Sequence, residues 1–404
     1  MKKVTGVSVG IVGVVIVMYV LRMMNRSGTL TGARASAVQA PAPTPAAAPA
    51  AAVETWREEA RAAHARGTAW LAAQQGETGA WSDPRFPALS GLALWALAGS
   101  DDAASRASAD RAVAFLLSCV QTNGGIYAEV PGRKGGGLSN YNTAICLTAL
   151  HATGRRDLTR VIQDARTFLA ASQYEGADEF HFGGFGYDHQ NQREYTDLLN
   201  THFAAEAMRR TQDVEDRRPQ GEARADVNWE HVLRYVSGLQ AKADDGADNE
   251  GGFVYNPLDP KAGAETNDAG RVILRAYGSI TYAGLMALLY ADVPRDDPRV
   301  VSAVDYAARH WTLDENPGMG DQGLYFYYNV IARALDVGAM DVIVRKDGAG
   351  EPIHWRAALA QKLVSLQKPD GSWANANNRF WENDPVLATS YALLALEIAT
   401  DGKE

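Results

Sequence analysis

The sequence predicts an all-α fold, an α/α toroid in which six helical hairpins form two concentric rings. A unit recurs along the chain that joins an amphipathic helix, a turn of the form Gln-x-x-x-Gly-x-Trp and a strongly apolar helix. The apolar helices suit a buried inner ring and the amphipathic helices an outer ring. Neither the first nor the last unit is polar enough to cap an open solenoid, so we expect the ring to close.

The last unit shows the pattern most clearly. Leucines three and four residues apart mark one face of a helix within 359–366, which ends near Gln367. Residues 369–371 (Pro-Asp-Gly) then turn the chain, because Pro fixes φ and Gly accepts a positive φ. Asp384, followed by Pro, predicts the start of the next helix, which is apolar over 386–398.

Five further copies of the unit precede the last one. Their turns run from Gln75 to Trp81, Gln121 to Ile126, Gln173 to Phe185, Gln240 to Phe253 and Trp311 to Tyr325. The fifth copy lacks the glutamine, and the spacing between copies varies. Variable spacing with constant helices is typical of insertions in the loops on one face of a repeat protein.

The composition is that of a globular protein, with 404 residues, 46% hydrophobic and 22% charged. The net charge of −9 argues against a nucleic-acid partner, since a basic patch is the expected footprint of such proteins. Cys119 and Cys146 lack the matched histidines of a structural zinc site. The sequence predicts no metal and no cofactor.

The N-terminal region predicts attachment to a membrane. Eighteen uncharged residues, 4–21, indicate a transmembrane helix or signal anchor within 1–25; a cleaved signal peptide is the alternative. An Ala/Pro-rich linker follows over 26–53, and the toroid is expected over 54–400. Basic residues flank both ends of the apolar run, but a tether favours a bacterial inner-membrane protein with its toroid on the periplasmic or outer side.

The repeated turn with its alternating helices resembles the prenyltransferase/squalene cyclase (squalene oxidase) repeat superfamily. The likeness is clearest at 75–81 and 367–373 and covers roughly 56–398. Two stretches, 277–284 and 314–320, are similar to uncharacterised bacterial members of that superfamily. The resemblance implies an α/α toroid whose central cavity binds isoprenoid chains.

The sequence departs from both chemistries known in that family. The Asp-x-Cys pair that holds zinc in protein prenyltransferases is absent, with Ser279 and Thr281 in its place, and Ala388 stands where the zinc-binding His would be. The Asp-x-Asp-Asp acid of squalene cyclases is absent as well. The resemblance therefore implies the fold without either reaction.

Polar residues on the predicted inner helices are the candidate site residues. The catalytic candidates are Asp197, His202 and Asp384. The ligand-binding candidates are Trp95, Asn142, Tyr282, Tyr328, Asn329 and Tyr391. The alternative role of the two aspartates is helix N-capping, and that of Trp95 is packing between the rings. Buried hydrogen bonding is the alternative for Asn142, His202, Tyr282, Tyr328 and Tyr391.

We therefore expect a membrane-anchored toroid, like a terpenoid cyclase or prenyltransferase, that binds or acts on an isoprenoid or other apolar ligand. Its cavity should be an open, aromatic-lined channel with a polar rim, where helix N-termini meet. The alternative is a non-catalytic scaffold module that binds a protein or glycan at the cell envelope. A carbohydrate-active enzyme would need two facing carboxylates, and the inner helices carry few acids.

Overall fold

The computed structural model describes residues 50–130, 137–189 and 195–401. Within these ranges the chain forms thirteen α-helices. They are α1 (Ala50–Ala73), α2 (Pro87–Leu97), α3 (Ala103–Ser118), α4 (Ser139–Ala152), α5 (Thr159–Ala170), α6 (Leu198–Arg210), α7 (Gln212–Glu215), α8 (Trp229–Gly238), α9 (Gly278–Tyr290), α10 (Pro298–Arg309), α11 (Leu324–Val337), α12 (Trp355–Leu366) and α13 (Pro385–Asp401). Two short 3-10 helices, Arg156–Leu158 and Ala243–Asp245, lie in loops.

The inner ring consists of α2, α4, α6, α9, α11 and α13, each packed against the next. The ring closes because α13 packs against α2. The helices α1, α3, α5, α8, α10 and α12 pack around it, and α1 also contacts α12. The predicted closed toroid of hairpins is confirmed.

The recurring turn joins the two helices of a hairpin and also contacts the next hairpin. Gly183 has φ +89°, and a Cβ there would lie 2.1 Å from the carbonyl oxygen of His231 on α8. Gln173 Nε2 donates to the carbonyls of Gly183 and Asn228, at 3.0 and 3.1 Å. Glutamines 75, 240 and 367 bridge in the same way, whereas the Gln121 amide donates to the carbonyls of Cys119 and Tyr127 beside its own turn. The turn thus requires glycine for its backbone conformation and for the close approach of the next helix.

A serine or threonine hydroxyl on five of the six inner helices, all except α11, fixes the aromatic end of the turn. The backbone N–H of Trp373 donates to Thr389 Oγ1 at 3.0 Å, and its indole N–H donates to the carbonyl of Leu363 at 2.8 Å. Equivalent bonds to the hydroxyl are made at Ser90, Thr143, Thr201 and Thr281. Thr281, which stands where the resemblance would place a zinc ligand, therefore holds the fourth turn in position.

A β-hairpin that the sequence did not predict lies in the loop before α9. Its strands are β1 (Ala264–Thr266) and β2 (Val272–Leu274), antiparallel, with Glu265 opposite Ile273. β1 is exposed throughout, whereas Ile273 of β2 is buried and Leu274 packs against the core.

The predicted membrane anchor, 1–25, and the linker up to residue 49 lie outside the described residues. Among the helices of the described ranges, none is long and apolar enough to cross a bilayer. The anchor therefore remains a prediction from the sequence.

Candidate functional site

The N-terminal ends of the inner helices surround a cavity of about 290 Å³, which we call the mouth cavity. Every inner helix lines this cavity with at least one residue from its first two turns, and some also with the residue directly before the helix. The aromatic residues that line it are Phe86, Tyr141, Tyr187, Tyr255, Tyr277, Phe326, Phe380, Trp381 and Tyr391. An aromatic cavity with few polar groups is typical of a small-molecule site.

Two cationic side chains line the mouth cavity. They are Lys261 and Arg379, and the Lys261 ammonium lies 5.0 Å from the ring centroid of Tyr255. Lys261 also contacts the Asp259 carboxylate. The partial positive charge of the inner-helix N-termini adds to these cations. These groups favour a ligand with a polar part.

Asp197, a predicted catalytic residue, lies behind the wall of the mouth cavity. It caps α6, and its two carboxylate oxygens accept hydrogen bonds from the backbone N–H and the side-chain amide of Asn200, both at 2.8 Å. Burial raises the pKa of Asp197 to about 6, against the opposing effect of the hydrogen bonds from Asn200. The next residue, Leu198, donates its backbone N–H to the carbonyl of Tyr255 at 3.0 Å, and Tyr255 lines the cavity. The capping role of Asp197 is observed, and its carboxyl group lies near the cavity wall.

His202, the second catalytic candidate, lies on α6 below the cavity. Its ring centroid is 4.1 Å from that of Phe203 and 6.0 Å from that of Phe326, which lines the cavity. Among the described residues, neither ring nitrogen has a hydrogen-bond partner. Burial, with the nearby Arg333 cation, lowers the pKa of His202 to about 3, so the imidazole is neutral. The Asp197 carboxylate accepts its hydrogen bonds from Asn200, so the structure does not show an Asp197–His202 pair.

Two predicted site residues belong to α13: Asp384 directly precedes the helix, and Tyr391 lies within it. Asp384 accepts a hydrogen bond from the backbone N–H of Val386 at 2.9 Å, which confirms its predicted capping position. Tyr391 lies further along α13 and lines the mouth cavity, with its ring centroid 5.8 Å from that of Phe326. Within the described part of the chain, Tyr391 is the one predicted ligand-binding residue that lines the mouth cavity.

Three other ligand-binding candidates pack between structural elements. Asn142 accepts a hydrogen bond from the backbone of Ala88 at 2.9 Å and donates to the carbonyl of Gly137 at 2.7 Å. Tyr328 donates to the carbonyl of Leu313 at 2.6 Å. Tyr282 packs beside Tyr327 with ring centroids 5.9 Å apart. These contacts show that the three side chains pack inside the protein. Their role in ligand binding stays a prediction.

The ring axis below the mouth cavity is occupied by a group of side chains that we call the axial cluster: the buried Glu206, Asn329 and Arg333 and the half-buried Trp95 and Arg210. Glu206 Oε1 accepts hydrogen bonds from Arg333 Nε at 3.1 Å and from Arg210 Nε at 2.8 Å. Arg333 also donates to Asn329 Oδ1 at 3.0 Å and lies 4.7 Å from the Trp95 ring centroid. The expected open channel is therefore not observed in the described part of the toroid, because charged side chains of α6 and α11 meet across its centre.

The opposite end of the inner ring holds a separate pocket of about 320 Å³. Trp95, predicted to bind the ligand of the central cavity, lines this pocket instead, beside Arg210 and Arg333. Asn329 belongs to the axial cluster, where its oxygen is already bonded to Arg333. Neither residue lines the mouth cavity.

Several residues that line the mouth cavity lie in loops and were not predicted from the sequence as site residues. Tyr187 and Tyr255 each follow a turn aromatic, Phe185 or Phe253, by two residues, and this shared offset was a usable signal. Glu382 also lines the cavity, accepts a hydrogen bond from the backbone N–H of Phe326 at 2.8 Å, and has its pKa raised by burial. No regular pattern marked this loop acid.

Comparison with solved structures shows which proteins share this fold, whereas comparison of sequences finds no match. No protein-family model matches the chain, and no curated protein matches it. A variant of the type II terpene cyclase MstE from Scytonema, in complex with geranylgeranyl dihydroxybenzoate, is 13% identical with a TM-score of 0.51, covering 86% of this chain and 99% of that chain. The cellobiose 2-epimerase from Spirochaeta thermophila is 14% identical with a TM-score of 0.53, with the same coverage.

These similarities define the class of protein as an α/α toroid. The resemblance inferred from the repeated turns is confirmed at the level of fold, since a terpene cyclase shares the architecture. An epimerase of unrelated chemistry shares it as well, so the fold does not select the reaction.

Proposed function

We propose that the protein binds an isoprenoid or another apolar small molecule in the mouth cavity. The observation that carries the proposal is the convergence of aromatic side chains from loops and inner helices on one cavity of about 290 Å³. Such sites bind apolar ligands through buried area and fix their orientation with a few polar groups. The toroidal cyclase MstE, whose structure contains geranylgeranyl dihydroxybenzoate, gives a precedent for such a ligand in this fold.

The size of the cavity favours a short ligand. Small-molecule sites commonly measure about 300 to 1,000 Å³, so this cavity is at the lower end of the range. The axial cluster closes the cavity below, and a long polyisoprenoid would have to displace the buried Glu206 and Arg333. A ligand of a few isoprene units fits this arrangement better.

Terpenoid-type chemistry on the bound ligand would depend on Asp197 among the predicted catalytic residues. Its neighbour Leu198 hydrogen-bonds the backbone of the cavity residue Tyr255, so the buried carboxyl group lies near the cavity wall. Its pKa of about 6 suits proton transfer near neutrality. His202 is neutral and surrounded by aromatic rings, and Asp384 serves as a helix cap. We therefore place the acid or base role on Asp197.

Native mass spectrometry of the detergent-extracted full chain tests the binding proposal. We expect a co-purifying isoprenoid-sized ligand, and its loss in the Leu387→Trp variant, because Leu387 lines the mouth cavity and the indole fills it. Ile398→Trp is the matched control, since Ile398 lies on the same helix but lines the opposite pocket. Equal ligand occupancy in both variants would place the ligand elsewhere and contradict the proposal.

A scaffold function is the second candidate, favoured by exposed aromatic side chains at the mouth. Phe380 and Trp381 remain 39% and 47% exposed although they line the cavity. Exposed aromatic residues of this kind are typical of protein or glycan interfaces. A partner chain that is retained in native spectra of ligand-free protein, and lost in a Phe380→Ser/Trp381→Ser variant, would support this function over the first.

We further propose that residues 1–25 anchor the protein in a bacterial inner membrane, with the toroid on the periplasmic side. The support is the apolar run at 4–21 and the Ala/Pro-rich segment that follows. Deletion of residues 2–25 should release the toroid from washed membranes. A reporter fused to the C-terminus should be active in the periplasm, and cytoplasmic activity would contradict this orientation.

A further inference from the structure

A buried acid, Glu382, forms part of the wall of the mouth cavity. It lies in the loop before α13, is 1% exposed and lines the cavity. Within the described part of the chain, no other acidic residue lines this cavity. Glu382 is therefore the acid that a ligand in the cavity meets directly.

Two uncharged partners hold the Glu382 carboxylate in place. Its Oε1 accepts a hydrogen bond from the backbone N–H of Phe326 at 2.8 Å, and its Oε2 accepts one from Asn375 Nδ2 at 2.9 Å. The backbone N–H of Asn375 donates to the carbonyl of Glu382 at 2.9 Å, and its side chain also donates to the carbonyl of Asp321 at 2.6 Å. Because these partners belong to α11 and to the loops before α11 and α13, the carboxylate is fixed in one orientation.

The observed bonds leave part of the acceptor capacity of Glu382 unused. The two oxygens of a carboxylate accept about four hydrogen bonds, and the described residues supply one to each oxygen. A buried charged acceptor that is left unpaired costs free energy, so the remaining positions require a donor. Since Glu382 is buried and borders the cavity, a molecule inside the cavity is placed to supply that donor.

The charged groups around the cavity favour a neutral donor. Lys261 and Arg379 line the cavity, and the N-termini of the inner helices add partial positive charge. These groups oppose a cationic ligand, while the Glu382 carboxylate opposes an anionic group at its own position. Burial raises the pKa of Glu382, but a carboxyl group keeps an acceptor oxygen in either protonation state. A hydroxyl group, which is neutral and donates one hydrogen bond, therefore fits this position.

We propose that Glu382 accepts a hydrogen bond from the hydroxyl group of an apolar alcohol or phenol bound in the mouth cavity. The hydroxyl end then lies at the start of α11, and the apolar remainder lies against the aromatic side chains of the cavity wall. Glu382 binds and orients the ligand in this arrangement, and no chemical step is assigned to it. The inference rests on the proposed binding function and adds the class of ligand and the residue that recognises it.

Three matched probes test the class of ligand on the detergent-extracted full chain. Geraniol donates and accepts a hydrogen bond, geranyl methyl ether has the same chain but only accepts, and geranylamine carries a positive charge at neutral pH. Isothermal titration calorimetry at about pH 7.5, with the same detergent in every blank, should give geraniol a Kd about tenfold tighter than the ether, the effect of one buried hydrogen bond. Geranylamine should bind more weakly than geraniol, because two cations line the cavity.

A variant of the acid tests the role of the residue. In Glu382→Gln an amide N–H replaces one acceptor and donates to the oxygen of either probe, so the preference for geraniol over the ether should fall below about twofold. Glu397→Gln is the matched control, because Glu397 is a half-buried acid on α13 that lines the opposite pocket, and it should keep the tenfold preference. Far-ultraviolet circular dichroism checks that both variants are folded.

A structure with bound geraniol gives a second test that does not depend on a variant. The geraniol oxygen should lie about 2.5 to 3.0 Å from a Glu382 carboxylate oxygen. A geraniol oxygen that is bonded to another group instead would refute the assignment, even where Glu382→Gln fails to fold.

The results distinguish this inference from the binding function on which it rests. Equal Kd values for geraniol and the ether in the unaltered chain, or tightest binding of geranylamine, would overturn the class of ligand and leave the binding function intact. A preference for geraniol that persists in Glu382→Gln would overturn the role of Glu382. Binding of no probe to the unaltered chain, with no ligand in native spectra, would overturn both proposals.

Discussion

The buried ion pair of the axial cluster gives the sharpest test of how the toroid is held together. Glu206 and Arg333 are each 1% exposed and lie 127 residues apart in sequence, on α6 and α11. Glu206 also accepts hydrogen bonds from Arg210 and from the Tyr290 hydroxyl, the latter at 3.1 Å. We consider the variants Arg333→Met and Glu206→Leu, alone and combined.

The two single changes should differ in magnitude. Removing one partner of a buried ion pair costs about 3 to 5 kcal/mol, because the other charge is left without compensation. Arg333→Met leaves Glu206 with Arg210 and Tyr290, so we expect a loss near 3 kcal/mol. Glu206→Leu leaves Arg333 and Arg210 beside Trp95 with no anion between them, so we expect a loss near 5 kcal/mol.

The double variant replaces both charged partners, so neither Glu206 nor Arg333 is left as a buried charge without the other. Replacing both members of a buried pair by apolar residues is often neutral, so the combined change should cost no more than about 2 kcal/mol. The single losses would then sum to about 8 kcal/mol, which leaves a coupling energy of about 6 kcal/mol between the two sites.

The measurement is urea unfolding of the four proteins, followed by far-ultraviolet circular dichroism and compared at a common m-value. The surface variant Arg85→Met is the control and should leave the urea midpoint unchanged, since Arg85 pairs with Asp83 at an exposed site. Additive losses in the double variant, or a loss below about 1 kcal/mol for Glu206→Leu, would refute a coupled ion pair at the ring axis.

Three further changes test the turns and the buried acid. Gly183→Ala should cost about 2 to 4 kcal/mol in urea unfolding, because the positive φ and the backbone of α8 both oppose a Cβ; Gly221→Ala, with open space around it, should cost about 1 kcal/mol, and equal losses would contradict the close approach. Thr389→Val should cost about 1 to 3 kcal/mol by leaving the N–H of the turn unpaired, whereas Thr400→Val removes only a bond within its own helix and should have little effect. Asp197 has its pKa raised from 3.8 to about 6, so its contribution favours the folded state most below pH 4 and falls by about 3 kcal/mol as pH rises to 6; the pH profile of Asp197→Asn should lack this fall, and an identical profile in both proteins would contradict the raised pKa.

The sequence alone determined the hairpins and their order. Apolar periodicity separates inner from outer helices, since a helix buried on all sides must be apolar on all sides. The turn glycines are recognisable because a positive φ favours glycine, and the glutamines of four turns because a bridging amide requires that residue type. Capping at Asp384 was predictable for the same reason, because the determinants lie within a few residues of each other.

The tertiary structure decided which polar side chains meet and what space they leave. Periodicity shows that a face is buried, but it does not show which distant face it contacts. Glu206 and Arg333 therefore carried no signal of the pair that closes the expected channel. Leu198 and Tyr255 likewise come together only because α6 and the fourth turn share one end of the ring. The candidate site depends on contacts between residues far apart in sequence, and local sequence preferences do not encode those contacts.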